Sequence, residues 1–503
     1  MPKSIRDIIW DMDGADTMPL LIVITHFINL FAVILLIRSG LHILADHPLL
    51  YWTDHTRRDN YWLKFGKLKM PKDKLWTAHD EAEHISHLAL PGGAHPEFGM
   101  ARNWHFIGAT VWILTGIVYW GYMFTTGAWR RLIPTSWDVI PSAWHELVGY
   151  LSFQLPPESA FNPYNSLQQI AYSMIVFVLS PLMVLTAIAM SPAFTNRFPK
   201  YVNIFGGRRQ AARSIHFIGM LIFSAFIIGH VSLVALVYFY RNVKLITFGT
   251  TNVDLAAALT VFASALLFLL IFNILITYFT LNHRVGTRKV LVKILHPIIH
   301  GIFGRMSPRN TYKKKDISEF FRTNGYPPDT EEFEKLKQNN FKDWRLKVNG
   351  LVENELELSL DDIKKMPYRD QITKHICIQG WSAIGQWGGV HVGEILKRAK
   401  PKPNAKYIVF HAYDVDDKGY HYYSALRVSD MEDAQSILAY EMNWEPLPLD
   451  HGAPLRLRCE RKLGYKMAKY LKSIEFVEEF ESIERGCGGY REDNVLFDWE
   501  ASI

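Results

Sequence analysis

The chain has 503 residues, which is long enough for two or three domains. Its net charge is only +6, and no stripe of basic and aromatic residues suggests a nucleic-acid partner. Three cysteines are too few for a disulfide framework and fit a reducing compartment. The first residues lack the basic region, short apolar core and small-residue cleavage site of a removable signal peptide. Composition therefore argues against a nucleic-acid-binding protein and against a disulfide-rich secreted scaffold.

Apolar residues are concentrated in the first 281 positions, and the remainder has the composition of a charged globular domain. Five runs in the first part are long and apolar enough to cross a bilayer, namely 18–44, 104–126, 166–190, 215–240 and 254–281. Lysine and arginine are much more frequent after the first, third and fifth runs than in the other connections. Because basic loops stay in the cytoplasm, the sequence predicts an outer N-terminus and a cytoplasmic C-terminal half.

Four histidines lie in these runs and pair by depth. His216 and His230 are fourteen residues apart on the fourth run, which places them within about 40° of one face and separates their Cα atoms by about 21 Å. His26 is near the start of the first run and His105 at the start of the second. Since successive spans alternate in direction, His26 joins His230 at the outer level and His105 joins His216 at the inner level. Two bis-imidazole pairs suit two b-type haems stacked across the membrane.

Other polar residues in or after the first run are further candidates for haem or metal binding. Arg38 could meet a haem propionate or extend its side chain to the membrane surface. His42 is turned about 160° from His26, so we expect it beside the lipid headgroups. The histidines of the following loop have no compact metal-ligand spacing and predict a solvated loop; they are His47, His55, His79, His84, His87 and His95.

The segments THFINLFAVILLIRSG, WHFIGATVWILTG, YNSLQQIAYSMIVFVLSPLMVLTAIA and IHFIGMLIFSAFIIGH resemble the first four helices of the bacterial cytochrome b561 and formate dehydrogenase gamma-subunit family. The resemblance covers roughly residues 20–240. It implies a di-haem cytochrome b of the bacterial inner membrane that exchanges electrons with a membrane quinone. The matching iron ligands are His26, His105, His216 and His230. The fifth run lies beyond this resemblance and returns the chain to the basic side.

The soluble half begins with a connector. KVLVKILHPIIHGIF carries apolar residues at helical spacing between basic ones and predicts a helix on the membrane surface. From Trp344 onward short strands alternate with helix starts. The expected architecture is an all-α bundle of five transmembrane helices, residues 1–281, a basic amphipathic connector, residues 282–319, and a mixed α+β domain, residues 320–503.

Three motifs of this last domain, KHICIQGWS, HGAPLRLR and KLGYKMAKYLKSIEF, resemble the sulfite-oxidase superfamily of molybdopterin enzymes. The nearest likeness is to the catalytic subunits of bacterial methionine-sulfoxide reductases. The resemblance implies that Cys377 is the catalytic molybdenum ligand, and a soft thiolate suits such a metal. Fixed cations suit the pterin phosphate. The residues implied at the pterin are Asn324, His451, Arg456, Lys466, Met467, Ala468 and Lys469.

Two departures from that family affect the chemistry. Gln379, two positions after the cysteine, replaces an acid of the methionine-sulfoxide reductase subunit, so proton delivery is expected to differ. The sulfite oxidases carry arginines just beyond their metal cysteine, and WSAIGQWGG has none. An anion cradle would therefore need Lys374, His375 or Arg369. Cys459 and Cys487 match no ligand position and are expected to be structural.

These features predict an integral-membrane molybdenum oxidoreductase of the oxygen-atom-transfer type. It would exchange electrons between a small oxo-substrate and the quinone pool through two b haems. The alternative is an electron-transfer or superoxide-handling cytochrome whose soluble half is a non-catalytic module. The substrate, the direction of electron flow and a homodimer are left open.

Overall fold

The computed structural model describes residues 17–57, 59–69, 75–90, 98–154, 164–191, 194, 197–303, 312–416, 418–494 and 497–499. In chain order the longer helices of the first part are α1 (Leu20–Asp46), α2 (Phe98–Thr126), α3 (Val139–Leu151), α4 (Ser166–Met190), α5 (Arg209–Leu236), α6 (Phe239–Phe248), α7 (Leu255–Asn282) and α8 (Arg284–Phe303). Of these, α1, α2, α4, α5 and α7 are long and apolar enough to span a membrane. The five predicted spans are therefore confirmed.

Local sequence explains where several spans begin. Asp254 caps α7, because its carboxylate accepts a hydrogen bond from the Ala257 amide at 2.9 Å. Asn165 and Gln168 form a capping box at the start of α4. Within α4 the segment Met174–Leu179 is π-helical and precedes Pro181, a residue without the N–H that a regular helix would use.

The described residues form two compact units. The first comprises Met1–Ser39, Trp104–Ala187 and Ser214–His283, and the second comprises Gly40–Asn103, Ile188–Arg213 and Arg284–Ile503. The first unit holds most of the five spans. The second joins the C-terminal half with two segments from earlier in the chain. The sequence-based domain ranges 1–281, 282–319 and 320–503 stay a prediction, and residues 304–311 of the connector lie outside the described residues.

In the first unit Arg38 is bonded to the fifth span. Its guanidinium donates to Asn273 Oδ1 at 2.9 Å and to Thr277 Oγ1 at 2.8 Å. Trp104 Nε1 donates to Thr280 Oγ1, also on α7, at 2.9 Å. Polar groups that meet inside the apolar region satisfy each other, so these bonds attach α7 to α1 and α2.

The second unit contains two five-stranded sheets. Its main strands are β3 (Arg345–Gly350), β4 (Leu356–Ser359), β5 (Tyr368–Ile376), β6 (Ser382–His391), β7 (Tyr407–Val415), β8 (His421–Arg427), β9 (Ser436–Met442), β10 (Glu445–Pro446), β11 (Arg456–Cys459) and β12 (Leu471–Val477), after the short pair β1 (Leu49–Leu50) and β2 (Leu63–Lys64). One sheet has the order β10-β9-β6-β5, with β11 also on β9, and the other has the order β4-β3-β12-β7-β8. Only β12 and β3 pair in parallel within these two sheets. The mixed α+β prediction is confirmed.

Four helices accompany these sheets, and the first three contribute residues to the main apolar core. They are α9 (Glu331–Gln338), α10 (Leu360–Lys364), α11 (Val392–Ala399) and α12 (Tyr490–Asn494). Trp344, Phe333 and Phe410 are fully buried in the core, where large aromatic side chains contribute most of the hydrophobic stabilisation.

The prediction that the loop after α1 is solvated is wrong for His47, which is 0% exposed. His47 Nδ1 lies 3.1 Å from Glu81 Oε2, and the other oxygen of Glu81 is bonded to Arg322. Arg322 also donates to the Tyr51 hydroxyl at 2.5 Å. The pairing of Glu81 with Arg322 and its contact with His47 offset part of the cost of burying these polar groups. The expectation for His42 is also wrong, since it is 3% exposed. His95 and the side chain of His79 lie outside the described residues.

Candidate functional site

The four histidines of the spans form two facing pairs in the first unit. The ring centroids of His26 and His230 are 6.2 Å apart, and those of His105 and His216 are 6.4 Å apart. Two imidazoles on opposite sides of one metal ion place their centroids about 6 Å apart, because each nitrogen lies about 2 Å from the metal and each ring adds about 1 Å. Both pairs therefore fit the two axial positions of a haem.

Hydroxyl groups set the orientation of three of these rings. The hydroxyl oxygen of Ser39 lies 3.0 Å from His105 Nδ1, and that of Thr186 lies 2.9 Å from His216 Nδ1. The hydroxyl oxygen of Tyr172 lies 3.4 Å from His230 Nδ1. The Ser39 and Thr186 hydroxyls already donate to helix carbonyls, Leu35 O at 2.7 Å and Leu182 O at 2.8 Å. Their oxygens are then placed to accept from Nδ1–H together with the backbone carbonyls of Leu36 and Met183, which leaves Nε2 of His105 and His216 free to bind iron.

Thr186→Val should raise the midpoint potential of the haem on His216. The valine removes one of the two acceptors at His216 Nδ1 and leaves the Met183 carbonyl, so the imidazole becomes a weaker electron donor to iron, and haem retention should fall by up to about tenfold. A redox titration of the haem absorbance bands measures the shift. Thr260→Val is the control, because Thr260 is exposed and donates only to the carbonyl of Ala256 in its own helix. An unchanged potential in Thr186→Val would show that the hydroxyl has no such role.

Cys377 lies at the end of β5 in the second unit and is 1% exposed. Gln379 Oε1 lies 3.5 Å from its sulfur, and the Asn324 amide points to the same sulfur at 3.9 Å. Burial raises the pKa of the thiol to about 12. A buried thiol of this kind is protonated at neutral pH, and a bound metal ion is the usual means of holding it as a thiolate.

Basic side chains gather around His375, two positions before Cys377 in the chain. Arg458 donates to His375 Nδ1 at 2.9 Å and forms a bidentate pair with Glu460 at 2.7 and 2.8 Å. Arg456 donates to the carbonyl of His451 at 2.8 Å. Burial, Arg458 and Arg456 together hold the pKa of His375 well below its usual range. Two guanidinium groups, Arg456 and Arg458, thus lie near one carboxylate, Glu460, and guanidinium groups are suited to binding an anionic ligand.

Two further groups belong to this cluster. Burial and then Arg456 lower the pKa of His451 to about 3. Lys469 donates to the carbonyl of Asp450 at 3.2 Å, and burial lowers its pKa. The charges of Arg456 and Lys469 act on His451, so these three predicted pterin residues are brought together.

Buried N–H groups without a protein partner test whether these residues fit a pterin cofactor. Within the described residues Trp381 Nε1, Trp387 Nε1 and Arg456 Nε are buried and have no hydrogen-bond partner. Unpaired buried donors cost free energy, and a pterin rich in oxygen and nitrogen acceptors could satisfy them. Among the same residues, no group of three or more His, Cys, Asp or Glu side chains could hold a metal ion by itself. The donor set thus fits a metal that arrives with a cofactor.

The remaining predicted pterin residues, Lys466, Met467 and Ala468, directly precede Lys469, but their side chains have other surroundings. Lys466 is fully buried, and its ammonium group is paired with Glu492 and also donates to the carbonyl of Gly488 at 3.1 Å. Met467 and Ala468 are buried, and Ala468 belongs to the main apolar core. The structure therefore does not bring the Lys466 ammonium to the cluster of Arg456 and Lys469.

The residues considered for an anion cradle have different surroundings. Lys374 is bonded to Asp54 at 2.5 Å, and Arg369 is exposed. Only His375 joins the basic cluster. Cys459 is buried in the main core and Cys487 is partly exposed, and neither forms a disulfide.

Sequence reasoning missed several residues at Cys377. Arg458, in the cluster around His375, had a detectable signal, because RLR at 456–458 places Arg456 and Arg458 on the same face of a strand. Asp46, at the end of α1, is buried and hydrogen-bonded to the Gln379 side chain. Arg209 and Gln210 both donate to the carbonyl of Gly380. Asp46, Arg209 and Gln210 had no signal, since they lie more than 160 positions from the cysteine.

Two family models match this chain. Residues 17–250 match the family model for prokaryotic cytochrome b561, and residues 334–483 match that for the oxidoreductase molybdopterin binding domain. Three curated relatives are similar over shorter stretches. A candidate protein-methionine-sulfoxide reductase subunit, YedZ1, from Azospira oryzae is 32% identical over 36% of this chain and 63% of its own length. The catalytic subunit MsrP of the protein-methionine-sulfoxide reductase from Xanthomonas campestris is 34% identical over 27% of this chain and 45% of its own.

The third relative, the uncharacterized oxidoreductase YuiH of Bacillus subtilis, is 35% identical over 27% of this chain and 66% of its own length. The chain thus spans between 45% and 66% of the length of these relatives.

Proposed function

We propose that this membrane protein, a cytochrome b561 region fused to a molybdopterin-binding oxidoreductase domain, passes electrons from the quinone pool through two b haems to an oxygen-containing substrate at molybdenum. The two facing histidine pairs carry the proposal. Two iron sites in one membrane unit suit one-electron transfer from a quinol. Molybdenum, when bound, supplies the two-electron chemistry at the substrate.

Residues of this chain have distinct roles in the proposal. His26 with His230 and His105 with His216 hold the haem irons, and Cys377 holds molybdenum. The anionic pterin is bound by the basic cluster around His375, which is formed by Arg456, Lys469, His375, His451 and Arg458. Its low-dielectric surroundings strengthen these charge interactions. Asn324 limits the movement of the Cys377 sulfur through its side-chain amide.

A sulfoxide is the proposed substrate class, because curated relatives are named for methionine-sulfoxide reduction. In the balanced reaction the sulfoxide takes up two electrons and two protons, loses its oxygen as water and becomes a sulfide. The quinol supplies the electrons. Gln379 cannot supply a proton in place of a carboxylic acid, so the protons must reach the substrate from another group or from water.

The test uses purified full-length protein with its haems reduced by dithionite. We expect methionine sulfoxide to reoxidise both haems, seen as loss of the reduced absorbance bands, with molybdenum present in the protein. Protein from cells grown with tungstate is the control and should stay reduced. N-oxides, sulfite and nitrate are tested in parallel. Haem reoxidation at equal rates in the tungstate control would refute catalysis at molybdenum and favour a cytochrome with a non-catalytic module.

We also propose that the molybdopterin domain lies in the cytoplasm, because the connections after the first, third and fifth spans are rich in lysine and arginine. Protease added to spheroplasts should leave residues 320–503 intact, whereas the same protease should cleave them in inverted membrane vesicles. Rapid loss of the domain from spheroplasts would show the opposite orientation.

A further inference from the structure

Cys377 opens a tight turn between β5 and β6. The Gly380 amide donates to Cys377 O at 3.1 Å, and the Cys377 amide donates to Trp381 O at 3.1 Å. Gly380 has a φ of +109°, a backbone conformation that side chains other than glycine rarely adopt. The direction of the Cys377 side chain therefore depends on the conformation of this turn.

The carbonyl of Gly380 is held by two donors from the first turn of α5. Arg209 Nη1 donates to it at 2.7 Å, and Gln210 Nε2 donates to it at 2.8 Å. The Arg213 guanidinium packs against the same glycine, with its Nε 3.5 Å from where a Cβ of residue 380 would stand. The α5 residues thus contact the one position of the turn that has no side chain.

These donors are themselves fixed. Arg209 Nε donates to Met190 O at 2.9 Å. The backbone N–H of Gln210 donates to Asp54 Oδ1 at 3.0 Å. The other oxygen of Asp54 is bonded to Lys374 at 2.5 Å, three positions before Cys377. One connected set of bonds therefore reaches both the strand that leads into the turn and the carbonyl at its end.

We propose that Arg209 and Gln210 are positioning residues for Cys377, which they orient by holding the carbonyl of Gly380. The inference rests on the proposed function in taking Cys377 as the molybdenum ligand. Gly380 is half-buried, and loss of both donors removes the two side-chain hydrogen bonds that hold its carbonyl. The turn then relaxes, and the sulfur leaves the position that catalysis requires. Misplacement of a reacting group by about 1 Å can reduce a rate by about 100-fold.

The experiment uses the full-length protein, loaded with its cofactors, and the double variant Arg209→Ala/Gln210→Ala. We expect haem and molybdenum contents per chain close to wild type, KM for methionine sulfoxide within about twofold, and kcat lowered by about 100-fold with a reduced dye as donor. The electron paramagnetic resonance spectrum of half-reduced molybdenum should change its g values, because the thiolate geometry has changed. This spectral change is a readout that a loss of folded protein would not produce.

Arg208→Ala is the matched control, since Arg208 is an exposed neighbour with the same charge. It should leave both kcat and the spectrum unchanged. If the double variant fails to retain molybdenum, the single variants Arg209→Lys and Gln210→Ala decide the question, and each should give a smaller spectral shift. Wild-type spectra and kcat in these variants would overturn the inference. Absence of molybdenum from the wild-type protein would instead overturn the proposed function.

Discussion

Cys377→Ser is expected to reduce substrate turnover to background while haem content stays at the wild-type level. Serine offers a hard oxygen in place of a soft thiolate, and a hydroxyl is much harder to deprotonate, so it is a poor ligand for this metal. The histidine pairs lie in the first compact unit and Cys377 in the second, so haem binding should not depend on the sulfur. Turnover with a reduced dye, molybdenum content and haem absorbance measure the three effects.

Cys459→Ser is the comparison for this prediction. Cys459 is equally buried, and its sulfur only accepts a hydrogen bond from Ser436 at 3.7 Å. Its replacement should affect stability more than turnover. Full activity of Cys377→Ser would remove Cys377 from the metal site.

His216→Ala and His230→Ala should each remove one haem and stop quinol-linked turnover. Each variant leaves a single imidazole at its site, and the other pair stays complete, so the haem content should fall from two to one per chain. Dye-linked turnover at molybdenum should remain near wild type, because it does not require the haems. Haem is measured as the pyridine haemochrome, and turnover is measured with a quinol analogue and with a reduced dye.

The control for the haem variants is His283→Ala, since His283 lies just beyond α7 and is exposed. Its haem content should match wild type. If His216→Ala and His230→Ala both retained two haems, the paired histidines would not be the iron ligands.

Periodicity predicted the parts of the fold that depend on neighbouring residues. The apolar runs predicted the five spans, and the fourteen-residue spacing of His216 and His230, with alternating span directions, predicted which histidines face each other. Both pairs have the predicted partners in the structure. In the soluble half, strand alternation predicted the mixed architecture, because the side-chain period of a strand is local.

The contacts around Cys377 could not be predicted in the same way. Asp54 contacts Lys374, and Gln210 contacts Gly380, only because the chain folds back on itself. Sequence periodicity cannot predict such distant pairs. His47 was misjudged for a related reason. A polar loop is expected in water, but in the interior Glu81 contacts His47 and forms an ion pair with Arg322. The position of Lys466 also depends on a distant partner, Glu492.

The bonds at Gly380 have a consequence for how the protein matures. Arg209 and Gln210 are synthesised well before Cys377, and they begin a helix that continues through the fourth span. The residues that hold the turn are therefore synthesised before the turn itself. A chain whose fourth span had not yet been integrated would present Cys377 on an unsupported turn. If Cys377 holds molybdenum as proposed, that span must be in place before the turn can present the sulfur to the cofactor.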